Sequence, residues 1–209
     1  MTKKALNVYQ FKISLLEVKP PIWRRIQVVE NYTFWDLHVA IQDAMGWTDS
    51  HLHEFNIINP NTTKNMVIGF PDELAGFINE DRIVLAGWEQ SISDFFSLDN
   101  PKAKYDYDFG DDWQHEIVLE KILPIESKVK YPRCLEGGRA CPPEDCGGIW
   151  GYSELLEILV DPKHPDYQER IEWLGGEFHP ESFDIKKVHF DNPKKRWEYA
   201  FNIEESVEI

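Results

Sequence analysis

Residues 9–29 read YQFKISLLEVKPPIWRRIQVV, and the fold can be worked outward from them. Tyr9, Phe11, Ile13 and Leu15 alternate with Gln10, Lys12 and Ser14, the period of a strand with one buried face. Val18-Lys19-Pro20-Pro21 interrupts the run, because prolines withhold ladder donors. Ile22, Ile26 and Val28 then share one face of a second strand, and Arg24 breaks that apolar face. Two such runs around a short proline-containing connection predict a hairpin.

Thr33 offers a helix cap, with Asp36 at the capping-box distance, where Glu or Gln is more usual. Phe34, Leu37, His38, Ile41, Ala44 and Met45 recur at helical spacing until Gly46 stops the helix. HLHEFNII at 51–58 reads as another strand. Strand, strand, helix, strand is the element order of a β-grasp. The expected class is therefore α+β, with a β-grasp-like N-terminal ββαβ sheet.

Residues 59–80 mix turn signals with short apolar pieces. IVLAG at 83–87 predicts a strand and ISDFF at 92–96 a short helical turn. KYDYDF, Gly110-Asp111 and DWQHEIVLEKIL predict a further hairpin. Its first arm sets Tyr105, Tyr107 and Phe109 on one face, with Asp106 and Asp108 opposite. Its second arm groups Trp113, His115, Ile117 and Leu119. After Pro132 helices take over: one near 152–160 ended by Asp161-Pro162, and one over 165–174 closed by Gly175-Gly176. A last helix starts at Asn192-Pro193 and carries Trp197, Ala200 and Phe201. The chain reads as a single domain over 1–209: strand-rich 6–130, a cysteine loop 131–150, and helical 151–209 packed on the sheet.

A chain of 209 residues is long enough to bury a sizeable core. Eight tryptophans and 13% aromatic residues argue against disorder despite a formal charge of −15. No apolar run reaches the length of a membrane span, and MTKKALNVYQF lacks the apolar stretch of a secretory signal. Three cysteines, an odd number, point to a reducing compartment, so a cytoplasmic location is expected. The negative balance disfavours general nucleic-acid binding. The densest basic stretch, KKVHFDNPKKR at 186–196, is interrupted by Asp191.

Three places could carry chemistry. CLEGGRACPPEDC at 134–146 holds every cysteine of the chain: Cys134, Cys141 and Cys146. Thiolates would favour zinc, with a fourth ligand from a histidine, Glu144 or Asp145, but structural zinc sites usually use closer cysteine pairs. The competing reading is a rigid loop whose cysteines pack as small apolar groups. Asp108, Asp111, Asp112 and His115 bunch around the second hairpin turn as acid/base or hard-ligand groups would. Aspartate and glycine are also what a tight turn demands. His51 and His53 would face one side of a strand and form half of a metal site. No G-x-S-x-G, P-loop or dinucleotide fingerprint appears.

Four motifs, in order, resemble one known family. They are YQFKISLLEVKPPIWRRIQV, the TFWDLHVAIQDAMGW helix with SHLHEF, YDYDFGDDWQH, and CLEGGRACPPEDCGGIWGY. Together with DPKHP and EWLGGEF they are similar to the plasmid pRiA4b ORF-3-like proteins over about residues 7–190. The resemblance implies a single domain and a function not yet established; some members are described as transposon passenger or resolvase-like proteins. It also implies a lesser part for Cys146, where similar proteins carry an apolar residue, leaving Cys134 and Cys141 as the favoured pair.

The leading expectation is a non-enzymatic binding or adaptor module for a protein partner. The alternative is a metal-dependent hydrolase of a nucleotide or phosphate ester, drawing on His51, His53, Asp108, Asp111, Asp112 and His115 with zinc or another divalent metal. A third is an accessory factor of a mobile DNA element, which rests on the resemblance alone.

Overall fold

The hairpin expected from residues 9–29 is β1 (Asn7–Leu15) and β2 (Trp23–Val29), antiparallel with Phe11 opposite Ile26. The computed structural model of the chain describes residues 6–71 and 82–201. Beyond β2 come α1 (Phe34–Met45), β3 (His53–Ile58), β4 (Asn65–Gly69) and β5 (Val84–Ala86). The hairpin of β6 (Lys102–Tyr107) and β7 (Trp113–Pro124) follows, then β8 (Arg133–Gly138). Three helices complete the described chain: α2 (Gly148–Val160), α3 (Tyr167–Trp173) and α4 (Pro193–Phe201). Among the described residues no helix is long and apolar enough to cross a membrane.

All eight strands join one sheet in the order β5-β4-β3-β6-β7-β1-β2-β8, antiparallel except between β4 and β5. The period-two pattern decides its faces. Phe11, Ile13, Ile26, Phe55, Tyr105, Trp113 and Ile117 all point into one core cluster with Phe34, Leu37 and Ile41 of α1. Each such side chain contributes about 1.5–3 kcal/mol by leaving water. The opposite face is polar and cross-linked. Gln27 donates to Gln10 (3.0 Å), Gln10 to Glu120 (2.9 Å), and Arg25 to Glu120 (2.7 Å).

The helix signals hold. Thr33 Oγ1 accepts from the Asp36 amide, Asp36 accepts from the Thr33 amide, and Gly46 closes α1 at φ +101°. Asn192 Oδ1 likewise accepts from the Lys194 and Lys195 amides at the start of α4.

Four readings change. β3 begins at His53, so His51 lies in the preceding turn and does not share a strand face with it. β6 ends at Tyr107, which leaves Phe109 on the turn and 53% exposed instead of beside Tyr105 and Tyr107. Asp108 takes φ +56° and is buried, so it does not lie on the outer strand face. The cysteine loop yields a strand, β8, that pairs with β2 and carries Cys134. The element order ββαβ is present, yet β6 and β7 lie between β3 and β1. Thus α1 carries the chain across three strands, and the ββαβ run is not a contiguous four-stranded sheet. Residues 72–81 and 202–209, which fall within the middle reading and the helical part, lie outside the described residues.

Candidate functional site

Under α1 the apolar core contains one polar chain. His38 and Gln42 stand one turn apart on the buried face of the helix, against Tyr105 of β6 and His53 of β3. Gln42 Nε2 donates to the Tyr105 hydroxyl (2.9 Å), which lies 2.9 Å from His38 Nδ1. His38 Nε2 lies 2.7 Å from Asp49 Oδ1. A hydroxyl that accepts from an amide keeps its proton to donate, so Tyr105 donates to Nδ1 and the Nε2 proton goes to Asp49. Asp49, at φ +61°, returns its own amide to Gln42 Oε1 (3.2 Å) and closes the circuit.

His53 completes the group. Its ring stacks on His38 with centroids 3.4 Å apart and planes 7° apart. It is 7% exposed, and its nitrogens make no hydrogen bond among the described residues. Burial, reinforced by His38, holds His53 well below the usual imidazole range; burial likewise drives Tyr105 well above the phenol range. His53 is thus a neutral imidazole with a lone pair to offer. One ligand atom each from His38, Asp49 and His53 lie within 4.8 Å of one another. A divalent ion there would replace the proton that His38 now gives Asp49. Outside this group, Arg196 of α4 reaches Asp43 (2.7 Å), Asp191 (2.6 Å) and Asp49 (3.7 Å). Trp35 and Trp197 pack edge to face beside it at 5.2 Å.

The six polar residues expected from the sequence fall into separate environments. His51 Nε2 lies 2.8 Å from Asp145 and 3.5 Å from Asp108, forming a second group of metal-binding size at the surface. Asp108 Oδ1 also accepts from the Gly110 and Asp111 amides, as a turn aspartate does. Asp111 accepts from the Gly147 amide (3.1 Å), and Asp112 accepts from Gln114 (3.1 Å). His115 is buried in the core, where Nδ1 donates to the Tyr105 carbonyl (3.2 Å) and Nε2 has no partner. His53 alone joins the inner group. Its partners His38, Gln42, Asp49 and Tyr105 lie outside the six residues expected from the sequence; two polar residues at i and i+4 in an apolar stripe, His38 and Gln42, are the signal that points to them.

Cys134, Cys141 and Cys146 are free thiols, and no metal-sized group among the described residues includes one. Burial raises all three, Cys146 to about 12. The loop acts through its other atoms. Pro142 O accepts from Trp47 Nε1 (3.0 Å), and Glu144 accepts from the Thr48 amide (2.8 Å) and the Tyr107 hydroxyl (3.0 Å). Gly148, at φ +66°, sits so close that a Cβ would stand 2.4 Å from Asp111 O. The loop is a clamp between the helices and the β6–β7 turn.

A solved relative shares this architecture. A crystal structure of a protein of unknown function, MM3350 from Methanosarcina mazei Go1, is similar at 48% identity with a TM-score of 0.81, covering 90% of this chain and 99% of that one. The uncharacterised protein y4hQ of Sinorhizobium fredii is 38% identical over 172 residues, 81% of this chain and 82% of its own length. The family model for the plasmid pRiA4b ORF-3-like protein matches residues 7–187. With that span and those identities, the chain belongs to the plasmid pRiA4b ORF-3-like family.

Proposed function

We propose that the protein is a non-enzymatic binding module for a protein partner, and that its contact face is the corner where α2 meets the β6–β7 turn. One observation carries this reading: Trp150 is 88% exposed in the first turn of α2. A tryptophan is a costly residue to leave in water, and such residues anchor interfaces. Its position is fixed from below. Gly148 abuts Asp111, and Gly151 abuts the Cys146 carbonyl so closely that a Cβ would clash. Phe109 is exposed two residues before Asp111, whose carboxylate holds the Gly147 amide. The two loops that carry these aromatics also carry Asp111, Asp112 and Asp145, which gives the corner negative charge. The matching partner presents lysine or arginine around an apolar anchor.

Affinity capture on the full chain at low and high salt, repeated with Trp150→Ala, tests it. The expected result is a partner held at low salt, released at high salt, and absent with a Trp150→Ala protein of unchanged melting temperature. Equal capture by the variant, or no saturable partner, overturns the reading.

The inner group supports a second reading: a metal-dependent hydrolase of a nucleotide or phosphate ester. His38, Asp49 and His53 would hold the ion, which supplies an activated water. Elemental analysis of protein purified without a metal-affinity tag decides it. Stoichiometric zinc that disappears in His53→Ala supports an enzyme; metal-free, folded protein ends it. The accessory role at a mobile DNA element draws no support from the basic stretch at 186–196, whose Arg196 is held by Asp43 and Asp191.

A further inference from the structure

Arg24, which broke the apolar face of the second strand in the sequence, is 2% exposed. Its Nε donates to Ala44 O in the last turn of α1 (2.8 Å), and Nη1 donates to Trp23 O (2.8 Å) and Gly138 O (3.0 Å). Nη2 makes no hydrogen bond, and no carboxylate pairs with the guanidinium among the described residues. Phe183 lies over it with the ring centre 4.1 Å away. That stack exists because residue 137 is glycine: a Cβ there would come within 2.6 Å of Phe183 and 2.9 Å of the Arg24 side chain.

A guanidinium removed from water is costly unless an anion sits beside it. The carbonyls, including the negative end of α1, offset part of that cost and supply no full charge. Arg24 lines a cavity of about 480 Å³ between the C-terminus of α1, residues 140–144, and the segment 174–188. That volume suits a small molecule. Three carboxylates share the lining, and none of them pairs with Arg24. Asp43 holds Arg196 (2.7 Å), Glu144 holds Thr48 (2.8 Å), and Asp184 holds the Lys186 amide (2.9 Å). Lys187 also lines the cavity and is exposed, with no carboxylate partner among the described residues. Phe178, Phe183 and Pro142 supply apolar walls. The segment that closes the cavity is tied down, since Arg139 donates to Glu181 (2.8 Å) and the Ala140 amide to Pro180 O (2.9 Å).

We propose that this cavity binds a small molecule carrying a carboxylate or phosphate on an apolar body, with the anion on Arg24 and Lys187 and the body against Phe183 and Phe178. The site uses none of the residues of the Trp150 face, so it stands or falls apart from the protein-binding reading.

Amide-resolved NMR titration of the full chain tests it, with benzoate and phenyl phosphate as the two anionic probes and benzamide as the uncharged control. Saturable shifts at the amides of 140–144 and 182–188 are expected, with benzamide at least about tenfold weaker because one charge-assisted pair is worth roughly that factor. Lys187→Glu, at an exposed position that leaves the fold intact, weakens both anions by about fivefold or more. The stronger of the two probes identifies the anion. Arg24→Met abolishes binding where it folds; should it unfold, the benzamide and Lys187→Glu comparisons decide. Absence of saturable shifts at those amides, shifts that map elsewhere, or benzamide binding as well as benzoate overturns the proposal.

Discussion

His51 and His53 stand two residues apart and each belongs to a group that contains a histidine–aspartate contact, yet the two groups are of different kinds. His53 opens β3 and stacks on His38 beneath α1, in a circuit with Asp49, Gln42 and Tyr105. His51 lies in the turn before β3, with its side chain 29% exposed, and meets Asp145 at 2.8 Å. Inside, every broken contact strands a polar atom in low dielectric; outside, water takes the vacated place. Proximity of a histidine to an aspartate therefore says little until burial is known. The same contrast explains why the outer group can yield to a loop's needs while the inner one dictates residues on three separate elements.

The largest expected effect breaks the inner circuit. His38→Ala leaves the Tyr105 hydroxyl proton without its acceptor, leaves the Asp49 carboxylate only Arg196 at 3.7 Å, and opens a void beneath α1. A loss of about 3–5 kcal/mol is expected, the range for stripping one member from a buried charged or polar pair. The urea midpoint measures it. A loss under about 1 kcal/mol would erase the distinction between the two groups.

Acid sharpens the comparison next. Burial holds His115 at about 4 and His53 well below its ordinary value near 6.5. Both folded values are depressed, so the unfolded chain binds these protons first. Stability is full above about pH 6.5, falls as the pH drops below it, and for His115 levels off near 4. Some 2.5 units correspond to about 3 kcal/mol from His115 alone. His115→Met, which also removes the unpartnered Nε2, flattens the stability profile between those two pH values. A profile unchanged by that substitution would remove His115 from the account.

The clamp around the outer group gives the third effect. Gly148→Ala forces a Cβ onto Asp111 O in a left-handed conformation, and about 2 kcal/mol of destabilisation is expected from strain and displacement. Differential melting measures it, and a neutral Gly148→Ala would mean the loop is loosely held. This clamp was only partly legible in the sequence. CLEGGRACPPEDC drew attention to its sulfurs, whereas Pro142 O, Glu144 and Gly148 make the contacts. What could be read was local: alternation in β1, the Thr33–Asp36 box, the Gly46 stop and the Asn192 cap. β8 escaped because Arg133–Gly138 carries no alternation, and a bulge shifts its register against β2 between Arg25 and Ile26. The inner group escaped because Tyr105 is 67 residues from His38, so only the sheet order brings them together. Local pattern reports which face is buried; it cannot report what a buried polar side chain will meet there.

The smallest effect is the one that most directly isolates burial. His51→Ala removes an imidazole from two carboxylates, as His38→Ala removes one from a carboxylate and a phenol. Asp145 is largely exposed and its charge returns to water, while Asp108 keeps the Gly110 and Asp111 amides whether or not His51 is present. Nothing is stranded, so a change within about 0.5–1 kcal/mol is expected, smaller still at high salt. Measured alongside His38→Ala in the same urea series, the pair compares histidine–aspartate contacts of nearly equal length in two settings, 2.7 Å inside and 2.8 Å outside. Should His51→Ala cost as much as His38→Ala, distance and not burial would set the strength of these contacts. The outer group would then have to count as part of the folded framework and not as a pairing laid over a turn that Asp108 already holds.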